Sequence, residues 1–257
     1  VDSVRMALNK MGITAHLLLH CPIGLKRDEQ HTFVSFEDSK SKKKDVIKQT
    51  VFLIEVDRQT SKLALAQLTE ELMSVVNDVS LAVQDWQPMR TRLRDIIQEF
   101  KTSKCPISAE QKVDTENFLA WLNDHNFTLM GYRSYSAKGI KGDYRWVADN
   151  DSSLGLMKNS KTDRDRVLSN IPPSARHEAL SNNPLMLTKT NSRSRVHRPA
   201  YLDYVVIKRF DEEGKVIGED RFIGLYSASF YNSSATQLPV LQDKINAISK
   251  LSGFDPD

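Results

Sequence analysis

Residues 201–226 read YLDYVVIKRFDEEGKVIGEDRFIGLY, and the rest of the chain can be organised around them. Tyr201 to Phe210 is a run of aromatic and β-branched residues. Asp211 to Lys215 (DEEGK) is turn chemistry, and Phe222, Ile223, Leu225 and Tyr226 mark a return strand from about Asp220 to Ser227. This is a β-hairpin. Upstream, Phe127 to Tyr135 (FTLMGYRSY) and Tyr144 to Ala148 pair as a second hairpin through a loop holding Gly139, Gly142 and Asp143. Short helical pieces are expected at Ser153 to Lys158 and Ser174 to Leu180, separated by Pro172 and Pro173, before a strand over Leu185 to Thr190.

Two strands, short helices and three more strands predict a five-stranded antiparallel sheet with helices on one face, over residues 126–235. Sensor domains of the PAS type use that order, and their crossover helices can enclose a ligand cavity. Tyr231 to Ser234 reads as a turn. Leu238, Leu241, Ile245, Ile248 and Leu251 then have helical spacing up to Gly253, so residues 236–257 are expected to form a helix leading to a further module.

On the N-terminal side, residues 86–125 read as a helical connector. Pro88 suits a first turn, and Met89, Leu93, Ile96, Ile97 and Phe100 share one face. After the polar break Thr102 to Pro106, Ser108 and Gln111 make a capping box for a second helix with the stripe Val113, Phe118, Leu119 and Leu122. The break KTSKCP, Lys101 to Pro106, is the expected domain boundary.

Residues 1–85 give a helix from Asp2 to Lys10 ended by Gly12, a strand from Ile13 to His20, a short strand near Phe33, Val34 and Phe36, and a strand from Thr50 to Val56. A helix follows with the stripe Leu65, Leu68, Leu72 and Val75, while Val79 to Val83 fits either an edge strand or more helix. If it is a strand, one further strand before Val1 completes a ferredoxin-like βαββαβ fold. Lys40 and Lys42 to Lys44, in the run SKSKKK, read as an exposed excursion rather than a phosphate or lipid handle.

The chain has 257 residues, 36 Lys and Arg against 33 Asp and Glu, and 40% hydrophobic residues, which excludes wholesale disorder and any polyanion-binding charge excess. No apolar run approaches the roughly 20 residues of a membrane-spanning helix. Two cysteines, Cys21 and Cys105, offer neither a disulfide framework nor metal spacing, so both are expected reduced in the cytoplasm. The opening at Val1, without a methionine, is that expected of a piece of a longer polypeptide.

Dinucleotide, P-loop, zinc-protease, thiol-redox and esterase signatures are all missing from the sequence, so no catalytic, cofactor-binding or metal residue is assigned. His16 and His20, on a strand, stand about 13 Å apart, too far for a shared metal. His31, His125, His177 and His197 carry no ligand pattern either. Cys105 reads as an incidental exposed thiol. Asp203, inside the apolar YLDYVVI, needs a partner if buried; Arg193, Arg195, His197, Arg198 and Arg221 are the candidates, the last across the hairpin. Asp203, Arg198 and Arg221 therefore form the one candidate network, structural or ligand-facing. The arginines of NSRSRVHRPAY suit an acidic protein surface better than nucleic acid.

Several stretches agree in order and wording with one family: SVRMALNKMGITAHLLLHCP, VFLIEVDRQT, VQDWQPMRTRL, FLAWLNDHNFTLMGYRSY, RPAYLDYVVIKRFDEEGKVIGEDRFIGLYSASFYN and LSGFDPD. The chain resembles the N-terminal regulatory region of the large bacterial NAD-specific glutamate dehydrogenases, the Lys-rich stretch being the least typical. The resemblance implies an α+β chain: an ACT-like domain over 1–85 lacking its first strand, the connector, and a PAS-like domain. It implies a non-catalytic regulatory or oligomerisation role beside a distant catalytic region. The cofactor, NAD, would belong to the parent enzyme and not to this segment. Expected partners are the parent's other domains, neighbouring subunits and a small-molecule or amino-acid effector, without nucleic acid or membrane. A structural spacer without ligand is the alternative, and a basic nucleic-acid module a remote one.

Overall fold

The computed structural model describes every residue except 31, 42, 44, 140–144, 160–165, 168–172, 233–247, 250 and 253–257. His31, part of the lysine run, the loop around Gly142 and most of the expected terminal helix lie outside the described residues. The chain divides into two compact units, one of Val1–Val76 with Arg195–Arg198, the other of Asn77–Ser194 with Pro199–Asp257.

In the first unit, helix α1 (Asp2–Lys10) leads through Gly12, at φ +69°, into strand β1 (Ala15–Arg27). Strands β2 (Phe33–Glu37) and β3 (Val46–Val56) flank it in a three-stranded antiparallel sheet of order β2-β1-β3. β1 is longer than the apolar run Ile13 to His20 because its second half is paired on both edges: Gly24 faces Glu37 and Lys48, and Leu25 faces Phe36 and Ile47. Val4 and Leu8 of α1 and Leu68 of helix α2 (Lys62–Gln84) close on one sheet face with Ala15, Ile54 and Val56. The opposite face carries Leu17, Leu19, Val51 and Leu53, all exposed.

Val79 to Val83 is helical, the last turns of α2. Among the described residues no strand follows α2 in this unit, and its elements run α-β-β-β-α, the helix-flanked core of the expected βαββαβ fold with the short β2 as an additional strand. The division into units falls inside α2, not at Lys101 to Pro106. The physical reason is the core of the second unit. Met89, Leu93, Ile96 and Ile97 of helix α3 (Trp86–Thr102) and Phe118 and Leu119 of helix α4 (Ala109–Trp121) pack in one cluster with the sheet residues Phe127, Tyr132, Val205 and Phe222. The helical pair is a layer on that sheet rather than a connector. The break between them is held too: Lys112 Nζ donates to the Ser103 carbonyl at 2.9 Å.

The second sheet contains β4 (Phe127–Lys138), β5 (Arg145–Gly155), β6 (Arg166–Val167), β7 (Leu185–Arg193), β8 (Tyr201–Phe210) and β9 (Val216–Tyr226). Its order is β6-β5-β4-β9-β8-β7, with every pair antiparallel. The two expected hairpins and the return to the first strand are all present. β5 runs on to Gly155, since Leu154 and Gly155 stay in the ladder opposite Tyr132 and Gly131, so only Leu156–Asn159 of the expected Ser153 to Lys158 helix is helical. Helix α5 (Pro173–Leu180) is where Ser174 to Leu180 predicts it, while helix α6 (Ala228–Asn232) stands in place of the expected turn at Tyr231.

Gly155 holds φ +58°, and a Cβ there would overlap the Met130 carbonyl. Its N–H donates to Asp85 Oδ2 at 2.7 Å, and Lys158 Nζ meets the same oxygen at 2.7 Å, tying the start of α3 to the end of β5.

Leu119 is fully buried, whereas Val113, on the same expected stripe, is 53% exposed. Leu119→Ala should therefore destabilise the second unit by about 2–5 kcal/mol, and Val113→Ala should fall within about 0.5 kcal/mol of the parent. Chemical denaturation followed by tryptophan fluorescence measures both. Equal, negligible losses would mean that the helical pair is not part of this core.

Candidate functional site

β9 is one of the two central strands of the second sheet, and its residues are buried at every position but one. Alternation sends Asp220 and Phe222 to one face, and Glu219 and Arg221 to the other. Three consecutive charges, Glu219, Asp220 and Arg221, are thus withdrawn from water and answered within the protein.

On the helix-covered face, Asp220 is 0% exposed. Its Oδ1 accepts the Tyr132 hydroxyl at 2.5 Å, and that hydroxyl accepts Arg92 Nε at 3.0 Å. Asp220 Oδ2 sits 3.6 Å from an Arg92 terminal nitrogen and 3.6 Å from Arg209 Nε. Those distances give ionic attraction without a hydrogen bond, and both Asp220 Oδ2 and Arg209 Nε are buried with no hydrogen-bond partner. Burial, then the Asp220 carboxylate, pushes the Tyr132 phenol above its ordinary range. Burial works against the Arg92 cation, but Glu99, Tyr132 and Asp220 hold its pKa above the usual value. Arg209 reaches across the sheet to the Tyr135 carbonyl at 2.7 Å, directly over Gly218, where a Cβ would collide with the guanidinium.

On the other face, Arg221 Nε donates to Glu219 Oε1 at 2.5 Å, with its guanidinium 3.9 Å above the centre of the Tyr135 ring. Arg133 donates to Ser153 Oγ at 2.8 Å and to the Met157 carbonyl. Lys208, 2% exposed, donates to the carbonyls of Glu178 and Ser181 and to Ser181 Oγ. Burial pulls its pKa down against the attraction of Glu178 and Glu219.

Among the described residues of this unit, two cavities adjoin the sheet and its helices. The larger, about 570 Å³, lies between Pro106, Gln111, Thr115, Glu178, Asn182 and Leu187. The smaller, about 250 Å³, has Ile96 and Phe100 of α3 on one side, Ile207, Phe210 and Ile217 on the other, and Asp220 and Arg209 in its lining.

The expected network distributes differently. Asp203 is buried, as its apolar neighbours suggest, but Lys189 of β7 meets it, Nζ to Oδ1 at 2.7 Å. The strand register explains this: Asp203 has Lys189 opposite it on one side and Gly224 on the other, while Arg221 stands opposite Val206. Arg193 lies over the Tyr201 ring at 5.1 Å, and Arg198 belongs to the first unit. Arg195, also of that unit, meets Glu71 at 3.1 Å. His16 Nε2 is 2.8 Å from Asp57 Oδ1. Among the described residues no cluster of His, Cys, Asp or Glu could hold a metal ion. The Asp220 cluster had a signal in the sequence, an acid–acid–base triplet inside a strand of apolar residues, which sequence reasoning passed over because charges are normally taken as a solvated turn.

Residues 1–72 match the family model described as glutamate dehydrogenase, ACT1 domain. The chain is 31% identical over its whole length to the NAD-specific glutamate dehydrogenase of Halomonas elongata and 33% identical over 99% of its length to that of Pseudomonas aeruginosa. A Mycobacterium tuberculosis enzyme of the same description is 22% identical over the whole chain. The chain spans only 16% of the length of the first two relatives.

Both cysteines are free, Cys21 exposed and Cys105 half-buried rather than exposed. Burial, opposed by Lys112 and Lys208, pushes the Cys105 thiol up to about 11. At pH 8 only about one part in a thousand is thiolate, so iodoacetamide should label Cys21 first, with Cys105 slower by about two orders of magnitude and accelerating towards pH 11. Peptide mass spectrometry of a labelling time course reads this directly; equal rates would refute it.

Proposed function

We propose, since residues 1–72 match the model of the glutamate dehydrogenase ACT1 domain and the whole chain is similar to a region of the NAD-specific enzymes, that it is a non-catalytic regulatory and assembly segment of such an enzyme. The parent would convert L-glutamate, water and NAD to 2-oxoglutarate, ammonium and NADH in the cytoplasm. The observation that carries the reading is the match of the entire chain to about one sixth of much longer relatives.

NAD does not fit the described residues. The doubly wound dinucleotide site uses parallel strands and a helix N-terminus at the switch point of strand order. Both sheets of the described residues pair antiparallel throughout, which supports assigning NAD to the parent's catalytic region rather than to this segment. The second unit, with strands running β5-β4-β9-β8-β7, supports a PAS-like reading, and a sheet with an adjoining cavity suits an effector-binding role. The exposed apolar face of Leu17, Leu19, Val51 and Leu53 favours the assembly part of the proposal, with other domains or subunits of the parent as partners. No described helix is long and apolar enough to cross a membrane, and neither a membrane nor nucleic acid is included among the partners.

Given L-glutamate and NAD, the isolated segment should produce no NADH absorbance. Deleting it from the parent enzyme should leave nucleotide binding intact while changing subunit assembly or the response to small effectors. Turnover by the pure segment, or a deletion that alters neither assembly nor regulation, would overturn the proposal.

A further inference from the structure

The smaller cavity has a feature that the larger one lacks. None of the residues lining the larger groove has a buried side-chain nitrogen or oxygen without a partner, among the described residues. In the smaller, an acceptor and a donor stand side by side unused: Asp220 Oδ2 and Arg209 Nε, 3.6 Å apart, each buried and each without a hydrogen bond. A buried carboxylate oxygen and a buried guanidinium N–H are both costly to leave unmatched. The gap between them is too wide for a direct bond and calls for a group that donates to one and accepts from the other.

The surrounding charge narrows the chemistry. The lining sets Lys104, Lys208 and Arg209 against Glu99, Asp211, Glu212 and Asp220, and Arg92, just outside it and paired with Glu99 at 2.6 Å, balances the fourth acid, so no large charge excess selects an anion or a cation as such. Ile96, Phe100, Ile207, Phe210 and Ile217 supply apolar surface beside this polar floor. At about 250 Å³ the space is below the roughly 300–1,000 Å³ of drug-sized sites and suits a small metabolite. A neutral molecule with an ammonium next to a carboxylate, and a compact apolar tail, meets every one of these requirements.

We infer that this cavity binds a free α-amino acid with an aliphatic or short neutral side chain, its ammonium on Asp220 Oδ2, its carboxylate on Arg209 Nε and its side chain against Ile96, Phe100 and Ile217. The site lies wholly within the second unit and names the effector class for the regulatory role proposed above, on which its biological meaning rests. Gly218 is part of the device, because only a residue without a side chain leaves room for the Arg209 guanidinium over the strand. Tyr132 and Arg92 position the carboxylate without touching the ligand.

Calorimetric titration of the 257-residue chain with individual L-amino acids tests the site, using the matching 2-oxo acid and decarboxylated amine as controls. At least one small apolar amino acid should bind in the micromolar to millimolar range, and each control about tenfold or more weaker, because each removes one of the two charges. Asp220→Asn keeps an acceptor for Tyr132 but removes the charge, and should weaken binding about tenfold or more. Ile217→Trp, at the exposed rim and outside the ion network, should block the cavity without disturbing the fold. Absence of binding by every amino acid up to about 10 mM, or binding that survives Ile217→Trp unchanged, overturns the assignment. The two readings fail separately. If an amino acid binds here but the parent enzyme's turnover ignores it, the regulatory role falls and the site stands; if none binds, the site falls while an assembly role is untouched.

Discussion

β9 has a hydrogen-bonded neighbour on each edge and buried side chains on each face, so none of its charges can be solvated. Glu219, Asp220 and Arg221 must be neutralised by groups that the fold brings to them. Arg221 and Glu219 answer each other two positions apart along the strand. Asp220, alone on its face, needs α3 for Arg92, β4 for Tyr132 and β8 for Arg209. One buried carboxylate thereby links the helix layer to three adjacent strands. Removing any partner would leave a charge in a low-dielectric interior, which is why such clusters act as specifiers of one arrangement more than as sources of net stability.

The same constraint sets the position of α3 and α4. Their apolar faces complete the core over Phe127, Tyr132, Val205 and Phe222, and the cluster at Asp220 sits where that core gives way to the cavity. A helix pair that could have been an independent spacer becomes one wall of that cavity. The polar break between α3 and α4 is part of this arrangement: Lys104 and Ser103 reach the cavity rim, and Pro106 packs close to Gly214 in the β8–β9 turn.

The first unit is built on the opposite principle. Its sheet has helices on one face and exposed Leu17, Leu19, Val51 and Leu53 on the other, with the outer edge of β3 unpaired within its sheet. Three strands with one bare apolar face suit a module completed by association.

Much of the secondary structure was determined by the sequence alone, because local rules are strong where periodicity and punctuation agree. The DEEGK turn between apolar runs, the Ser108–Gln111 capping box and Gly12 after α1 each place an element boundary. Val79 to Val83 could not be resolved that way, since the short stretch VSLAV satisfies both strand and helix spacing and only continuity with α2 decides it. The partner of Asp203 was likewise beyond sequence: register sets Lys189 opposite it, and register depends on the whole ladder from Leu185 to Arg193. Tertiary structure alone decided that Glu219, Asp220 and Arg221 are buried, because a charged triplet reads as solvent-facing until β4 and β8 enclose the strand that carries it.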